Sequence, residues 1–132
     1  MRIVIDTNIW IQYLIDKPPK RLDSILLDPQ TEVLLSRELL DELIEVCARP
    51  KFTRYFSTDD ITDLVLLLES RFPVIAVQSI VDVCRDKKDN FLLALCKDGK
   101  ADVLLTGDSD ILDLRKFEDT IVVSLTGLES IR

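Results

Sequence analysis

The sequence predicts an α/β fold, a three-layer α/β/α sandwich built around a central parallel sheet. Short β-branched apolar runs alternate along the chain with segments whose apolar residues have helical spacing. The apolar runs are continuous, which is typical of parallel strands that are buried on both faces. Strands that alternate with helices therefore predict a parallel sheet covered by helices on both sides.

Length and composition predict one domain over residues 1–132. A chain of 132 residues buries roughly two-thirds of the surface that it exposes when unfolded. Its 47% apolar and 31% charged residues are typical of a globular protein and exclude a disordered one. No internal repeat, low-complexity tract or linker divides the chain.

The first elements follow from the apolar pattern. The run 2–5, which ends at Asp6, is predicted to be a buried central strand. Apolar residues at helical spacing predict a helix over 22–26, and a second short strand covers 32–35.

Two helices follow this strand. Ser36 is a favourable N-cap for the first, and Pro50 closes it. Its predicted apolar stripe consists of Leu39, Leu40, Leu43, Ile44 and Cys47. The second helix covers about 58–70, with acidic residues favourably placed in its first turn.

The second half continues the alternation. The run 74–77 is strand-like, and either Asp89 or Asn90 caps the next helix, which Gly99 is suited to stop. A strand over 103–106, a Gly-Asp turn, a short helix to about residue 114 and a last strand over 121–124 complete the pattern.

Several kinds of catalytic site are excluded by missing residue types. The chain has no histidine, so Ser-His-Asp and Cys-His nucleophilic sites cannot be built. Its three glycines are isolated, so it has no phosphate-binding glycine loop. Any catalysis must therefore use carboxylates.

The cysteines and the apolar runs predict a cytoplasmic protein. Three widely spaced cysteines, Cys47, Cys84 and Cys96, fit neither a disulfide framework nor a zinc site, and we expect buried reduced thiols. No apolar run is long enough for a signal peptide or a membrane span. We therefore expect no membrane association.

Two acids follow predicted strands directly. Asp6 comes after the first strand, and Asp108 comes one glycine after the strand 103–106. Ligands of open parallel sheets bind beyond the carboxyl ends of the strands, near the point where the strand order reverses. If these two strands are neighbours, both carboxylates face one crevice.

Three more acids could join them. Asp89 opens a helix, Glu42 borders the apolar stripe of its helix, and Asp110 is two residues past Asp108. Carboxylates that converge in a partly dry cleft destabilise one another unless a cation or a proton intervenes. Oxygen ligands without histidine or cysteine favour Mg²⁺ or Mn²⁺.

Each acid also has a purely structural interpretation. Asp89 is a favourable N-cap, Asp108 and Asp110 are common turn residues, and Glu42 can be a solvated helix side chain. Asp6 is the hardest to explain in this way, because a carboxylate that ends a buried strand is costly without a partner.

Four segments together resemble the PIN-domain family, in the same order and at similar spacing. They are 3–8, 36–43, 85–90 and 105–112, so the resemblance spans nearly the whole chain. The most similar members are small prokaryotic proteins regarded as toxin components of toxin-antitoxin systems, the VapC-type ribonucleases.

The resemblance implies roles for individual residues. Divalent metal would be bound by Asp6, Glu42, Asp89 and Asp108, with Asp110 as an auxiliary ligand. Hydrogen bonds from Asn8 and Thr106 would support the site. Asp86 lies close enough to Asp89 in sequence to exchange roles with it.

The resemblance further implies a Mg²⁺- or Mn²⁺-dependent endoribonuclease that cleaves single-stranded RNA, forms a homodimer and is inhibited by a small antitoxin protein. The net charge of −7 opposes RNA binding, but much of the excess lies in the proposed site. Basic residues that could contact RNA are Arg49, Lys51, Arg85, Lys87 and Lys88.

Other functions remain open at this point. A PIN-like fold could bind metal or a protein partner without catalysis. An aspartyl phosphatase of the haloacid-dehalogenase type would need an acid where Asn8 stands, and a response-regulator receiver would need a lysine after the last strand.

Overall fold

The computed structural model describes residues 1–131, and it contains a six-stranded sheet in that range. The strands are β1 (Arg2–Ile5), β2 (Glu32–Ser36), β3 (Val74–Ile75), β4 (Val103–Leu105), β5 (Lys116–Phe117) and β6 (Thr120–Val123). Their spatial order is β3-β2-β1-β4-β6-β5. All pairings are parallel except that of β5 with β6. The predicted α/β class is confirmed, with an antiparallel edge strand added.

Helices flank this sheet. They are α1 (Thr7–Ile15), α2 (Asp23–Leu26), α3 (Arg37–Cys47), α4 (Thr58–Arg71), α5 (Asn90–Gly99), α6 (Ser109–Leu112) and α7 (Leu125–Ile131). Short 3₁₀ turns cover Pro50–Phe52 and Lys87–Asp89. No helix within residues 1–131 has both the length and the apolar character needed to cross a lipid bilayer.

The strand order reverses between β1 and β4. The sheet extends from β1 through β2 to β3 on one side, and from β4 through β6 to the edge strand β5 on the other. β1 and β4 pair directly, with Ile5 opposite Leu105. Their carboxyl ends are therefore adjacent at the position where open α/β sheets bind ligands.

The core lies on both faces of the central strands. Ile3, Val4 and Ile5 are completely buried, as are Leu104 and Leu105 of β4. Burial on both faces explains why these strands are continuous apolar runs in the sequence. It also leaves the residues just past the strand ends as the first positions where polar side chains can meet.

The helix after β2 is capped as expected, but its buried stripe differs from the prediction. The Ser36 hydroxyl accepts a 3.1 Å hydrogen bond from the Leu39 backbone N–H. Ile44, expected in the stripe, is 36% exposed, whereas Val46 is buried. Ile44 lies at the margin of the face that contacts the core, and Val46 lies nearer its centre.

Gly99 does not stop α5 by adopting a left-handed conformation. Gly99 is the last residue of α5, and the left-handed residue that follows it, with a φ of 53°, is Lys100. A Cβ atom on Gly99 would lie 2.7 Å from the Leu34 Cδ1 atom. A larger residue at this position would force the buried Leu34 side chain to shift, because α5 packs closely against β2.

Three elements were not predicted, and one strand is shorter than expected. α1 begins directly after Asp6, and β5 and α7 complete the C-terminal region. The predicted strand 74–77 is reduced to Val74–Ile75, which pairs only with the end of β2. The cysteines are free thiols, and Cys84 is partly exposed rather than buried.

Candidate functional site

Asp6 lies at the junction of β1 and α1. Its backbone N–H donates a 2.9 Å hydrogen bond to the Leu105 carbonyl, which continues the pairing of β1 with β4. Its side chain is 7% exposed and makes no capping hydrogen bond to α1. The carboxylate therefore does not serve as the cap of α1.

Thr106 provides a partner for the Asp6 carboxylate from the neighbouring strand. Its hydroxyl donates a 2.7 Å hydrogen bond to Oδ2 of Asp6 and accepts a 3.1 Å bond from the Asp108 backbone N–H. Thr106 is completely buried, so water cannot replace these contacts. One hydroxyl thus links the residues that follow β1 and β4.

Asp108 is both a helix cap and a member of this site. Its Oδ1 atom accepts from the backbone N–H groups of Asp110 and Ile111, at 2.8 and 3.4 Å. The structural interpretation of Asp108 as a turn residue is therefore correct for one oxygen. Both capping bonds use Oδ1, and Oδ2 takes no part in them.

Glu42 approaches from α3. Its Oε2 atom accepts a hydrogen bond from the hydroxyl of Thr7, the first residue of α1. Glu42 is only partly exposed, and Thr7 is buried. Glu42 is thus held by α1 rather than extended into solvent.

Asp89 precedes α5 without capping it. Its side chain makes no capping hydrogen bond, whereas Asp86 accepts a 3.0 Å bond from the Lys88 backbone N–H. The side-chain cap expected of Asp89 or Asn90 at α5 is therefore absent, and Asp86 caps the preceding 3₁₀ turn Lys87–Asp89. Asn90 instead accepts from the backbone N–H groups of Val83 and Cys84 and fixes the preceding loop.

The pKa shifts show that these acids act on one another. Burial raises the pKa of Asp6, the charges of Glu42 and Asp108 raise it further, and the Thr106 hydrogen bond opposes the rise. Burial is also the main reason why the pKa of Asp89 rises to about 6, followed by the charges of Asp108 and Asp6. We call Asp6, Glu42, Asp89 and Asp108 the acidic cluster.

Cys84 was not expected at this site. Burial raises the pKa of its thiol to about 11, and the charges of Asp89 and Asp108 contribute. The thiol therefore lies within electrostatic range of the acidic cluster and stays protonated at neutral pH. Nothing in its sequence neighbourhood signals this position, which arises from the loop that Asn90 fixes.

The remaining predicted site residues lie around the acidic cluster. Asp110 is 3.6 Å from the Arg85 guanidinium, and both side chains are well exposed. Asn8 is exposed, and within residues 1–131 no hydrogen bond joins its side chain to the cluster. Lys87 and Lys88 are exposed in the turn that leads to Asp89. The roles predicted for these residues stay predictions.

Two further basic residues follow α3 at some distance from Glu42. Arg49 lies 3.6 Å from Glu45, and the Lys51 ammonium lies over the Phe52 ring at 5.0 Å. Arg49 lies two residues beyond the end of α3 at Cys47, and seven positions after Glu42. Within residues 1–131 neither Arg49 nor Lys51 forms an ion pair with the acidic cluster, and their predicted RNA contacts stay predictions.

A family model for the PIN domain matches residues 2–110, which include every member of the acidic cluster. The chain belongs to the PIN domain family. Family membership does not support the phosphatase and receiver alternatives. Comparison with curated protein sequences finds no matching relative.

Solved structures share the fold of this PIN domain at low sequence identity. VapBC2 from Rickettsia felis, bound to a DNA fragment from its promoter, superposes with a TM-score of 0.64 at 14% identity, covering 94% of this chain and 98% of that one. VapBC-1 from nontypeable Haemophilus influenzae gives a TM-score of 0.65 at 18% identity, covering 96% and 99%. The fold is therefore shared over nearly the whole length of both chains.

The acidic cluster of this PIN domain suits a hard divalent cation by charge and by donor type. Its donors are carboxylate oxygens, and within residues 1–131 none of the four forms an ion pair with lysine or arginine. In the described part of the chain, however, no three acidic or thiol side chains form a ready ligand set. Mutual repulsion opposes the close approach of carboxylates, and a bound cation would offset it.

Proposed function

We propose that this PIN domain is a divalent-metal-dependent endoribonuclease that cleaves single-stranded RNA, with Mg²⁺ or Mn²⁺ as its cofactor. One observation carries the proposal. Four carboxylates lie within electrostatic range of one another at the strand-order reversal, where charges from the other members contribute to raising the pKa of Asp6 and of Asp89. No basic side chain of residues 1–131 neutralises the four by ion pairing. Such an arrangement is costly unless it serves to hold a cation.

The acidic cluster and its neighbours have distinct roles in this proposal. Asp6, Glu42, Asp89 and Asp108 would hold the metal, with Asp110 as an auxiliary ligand. A divalent ion bound there would lower the pKa of a water molecule and neutralise the leaving oxygen. Thr106 orients Asp6 through its buried hydrogen bond, and Asn8 is proposed to support the site from its exposed position.

RNA binding is proposed for basic residues on the two sides of the acidic cluster. Arg85, Lys87 and Lys88 lie on the Asp89 side, and they are exposed. Arg49 and Lys51 follow α3 on the Glu42 side, where segment 49–55 carries three basic residues and no acid. These cations offset the repulsion between phosphate and a chain of net charge −7.

Segment 49–55 also carries an exposed aromatic side chain. Tyr55 is 42% exposed, and the Arg54 guanidinium lies 4.8 Å from its ring centre. Single-stranded nucleic acids are commonly bound by exposed aromatic rings next to basic residues. We therefore add Arg54 and Tyr55 to the proposed RNA contacts.

The biological role we propose is that of a toxin in a toxin-antitoxin system. Support comes from the family match and from the shared fold with two VapBC structures. A small antitoxin protein that covers the cleft, a homodimer and a cytoplasmic location are parts of the same proposal. Three free thiols are consistent with a reducing compartment.

A second candidate function is a PIN domain that binds metal or a partner without cleaving RNA. It is favoured by the state of Asp108, whose Oδ1 is used for helix capping, and by the lack of a ready ligand set within residues 1–131. Mn²⁺ binding without RNA cleavage would distinguish it from the nuclease.

The test is cleavage of single-stranded RNA by wild type and by Asp6→Asn, in Mg²⁺ or Mn²⁺ and in EDTA. We expect Asp6→Asn and EDTA each to lower the rate by at least about a hundredfold, as losses of metal ligands do. Asp59→Asn is the matched control, because Asp59 is an exposed acid in the first turn of α4. Equal activity of wild type and Asp6→Asn would show a contaminating nuclease or a wrong site.

A further inference from the structure

We infer that Thr7 is a positioning residue that holds the Glu42 carboxylate beside Asp6. Thr7 follows Asp6 directly in the chain, and its hydroxyl donates to Oε2 of Glu42. It therefore joins the start of α1, next to Asp6, to the Glu42 carboxylate. The inference rests on the proposed function, because it assigns Thr7 a role in preparing the acidic cluster for a cation.

The direction of the Thr7 hydroxyl distinguishes this role from a local one. A threonine at a helix start commonly bonds to nearby backbone groups. Here the partner is a side chain of α3, thirty-five positions along the chain, and α1 and α3 pack against each other. Thr7 is 3% exposed, so its hydroxyl cannot exchange this partner for bulk water.

Glu42 needs such a partner because its surroundings repel it. The charge of Glu42 contributes to raising the pKa of Asp6, so each of these two carboxylates destabilises the other. A glutamate also has several freely rotating bonds, and an unrestrained Glu42 would turn toward solvent and away from the other acids. A hydrogen bond from Thr7 offsets the repulsion and keeps one carboxylate oxygen toward the site.

Threonine suits this task better than serine or valine. Its branched Cβ restricts the first side-chain torsion, so that the hydroxyl is aimed before Glu42 arrives. Serine keeps the donor and loses the restriction, whereas valine keeps the shape and loses the donor. Comparing threonine, serine and valine at position 7 therefore distinguishes the effect of the hydrogen bond from the effect of side-chain shape.

The test measures Mn²⁺ binding by calorimetry to the full chain at pH 7.5, for wild type, Thr7→Val, Thr7→Ala and Thr7→Ser. Losing an outer-shell partner of a metal ligand typically weakens metal binding 10–100-fold. We expect Thr7→Val and Thr7→Ala to weaken Mn²⁺ binding about tenfold, and Thr7→Ser to restore most of it. In a Glu42→Ala background, Thr7→Val should have no further effect, because the residue through which it acts is gone.

Three other results are decisive. Wild-type Mn²⁺ affinity in folded Thr7→Val and Thr7→Ala would overturn the positioning role and leave the nuclease proposal intact. Failure of both variants to fold by circular dichroism, with Thr7→Ser unaffected, would replace the positioning role by a structural one. Absence of Mn²⁺ binding by wild type would overturn the proposed function together with this inference.

Discussion

The Thr106 hydroxyl donates a 2.7 Å hydrogen bond to Oδ2 of Asp6 across one hundred positions of sequence. The bond joins the residues that follow the two central strands, and both side chains are buried. Because β1 and β4 pair directly, the backbone fixes this distance before any metal or substrate binds. The site is thus supported by the two paired central strands of the sheet.

Thr106→Val should destabilise the protein and weaken metal binding. Removing the donor leaves a buried carboxylate oxygen without its partner, which costs about 1–3 kcal/mol of unfolding free energy. Urea denaturation measures this loss, and calorimetry measures Mn²⁺ binding. Thr120→Val is the matched control, because Thr120 is also buried and bonds the Ala101 carbonyl at 2.7 Å. Thr120→Val should lose similar stability and keep Mn²⁺ affinity, and a parallel loss of affinity in both variants would remove Thr106 from the site.

Without metal, the protein should lose stability as pH rises from about 4 to 6. Asp89 has a pKa of about 6 when folded, above the value of about 3.9 expected in the unfolded chain. The folded state therefore binds more protons than the unfolded state in this window, and its advantage disappears as pH rises. Urea midpoints at pH 5, 6 and 7 in EDTA measure the effect. Asp89→Asn should flatten the profile and Asp59→Asn should not, so identical slopes in wild type and Asp89→Asn would contradict the prediction.

Asp6→Asn should change stability in opposite directions with and without metal. In EDTA the variant should unfold at a higher urea concentration than wild type, because it removes one of the mutually repelling carboxylates. With Mn²⁺ at a hundred times its dissociation constant, wild type should gain about 2.7 kcal/mol and the variant far less. Urea denaturation at pH 7.5, in EDTA and with Mn²⁺, measures both effects. If Asp6→Asn is less stable than wild type in EDTA, and Mn²⁺ stabilises both proteins equally, Asp6 is excluded as a ligand.

Lys51→Ala combined with Arg54→Ala should reduce the salt dependence of RNA binding. Each lost phosphate contact lowers the slope of log K against log salt by about 0.7 for single strands, so the pair should lower it by about 1.4. Binding is measured in an Asp6→Asn background, which prevents cleavage. Lys97→Ala with Lys116→Ala is the charge-matched control, away from the carboxyl ends of the central strands. Equal slopes in the two double variants would remove segment 49–55 from the RNA interface.

Much of the fold was predictable because its determinants are local. Continuous apolar runs identified β1 and β4, and the Ser36 cap and apolar spacing identified α3. By contrast, β5 and α7 were missed, since β5 has only two residues and α7 is a short turn of helix after the last long strand. Gly99 was assigned a stop signal, but its real constraint is the approach of Leu34 from another element.

The candidate site also has some features that the sequence predicts and others that it does not. The positions of Asp6 and Asp108 after their strands could be predicted, as could a partner role for Thr106. The contact of Thr7 with Glu42, the position of Cys84 and the pairing of Arg85 with Asp110 could not. Each of these depends on where a loop or a helix lies after packing.

By itself, the sequence determined an α/β chain whose acids stand at strand and helix ends, because hydrophobic periodicity and capping act between residues that are close along the chain. Only the tertiary structure decided which acids share a site and how strongly they interact. Burial and charge repulsion depend on distances between elements that are far apart in sequence, and the pairing of β1 with β4 sets those distances.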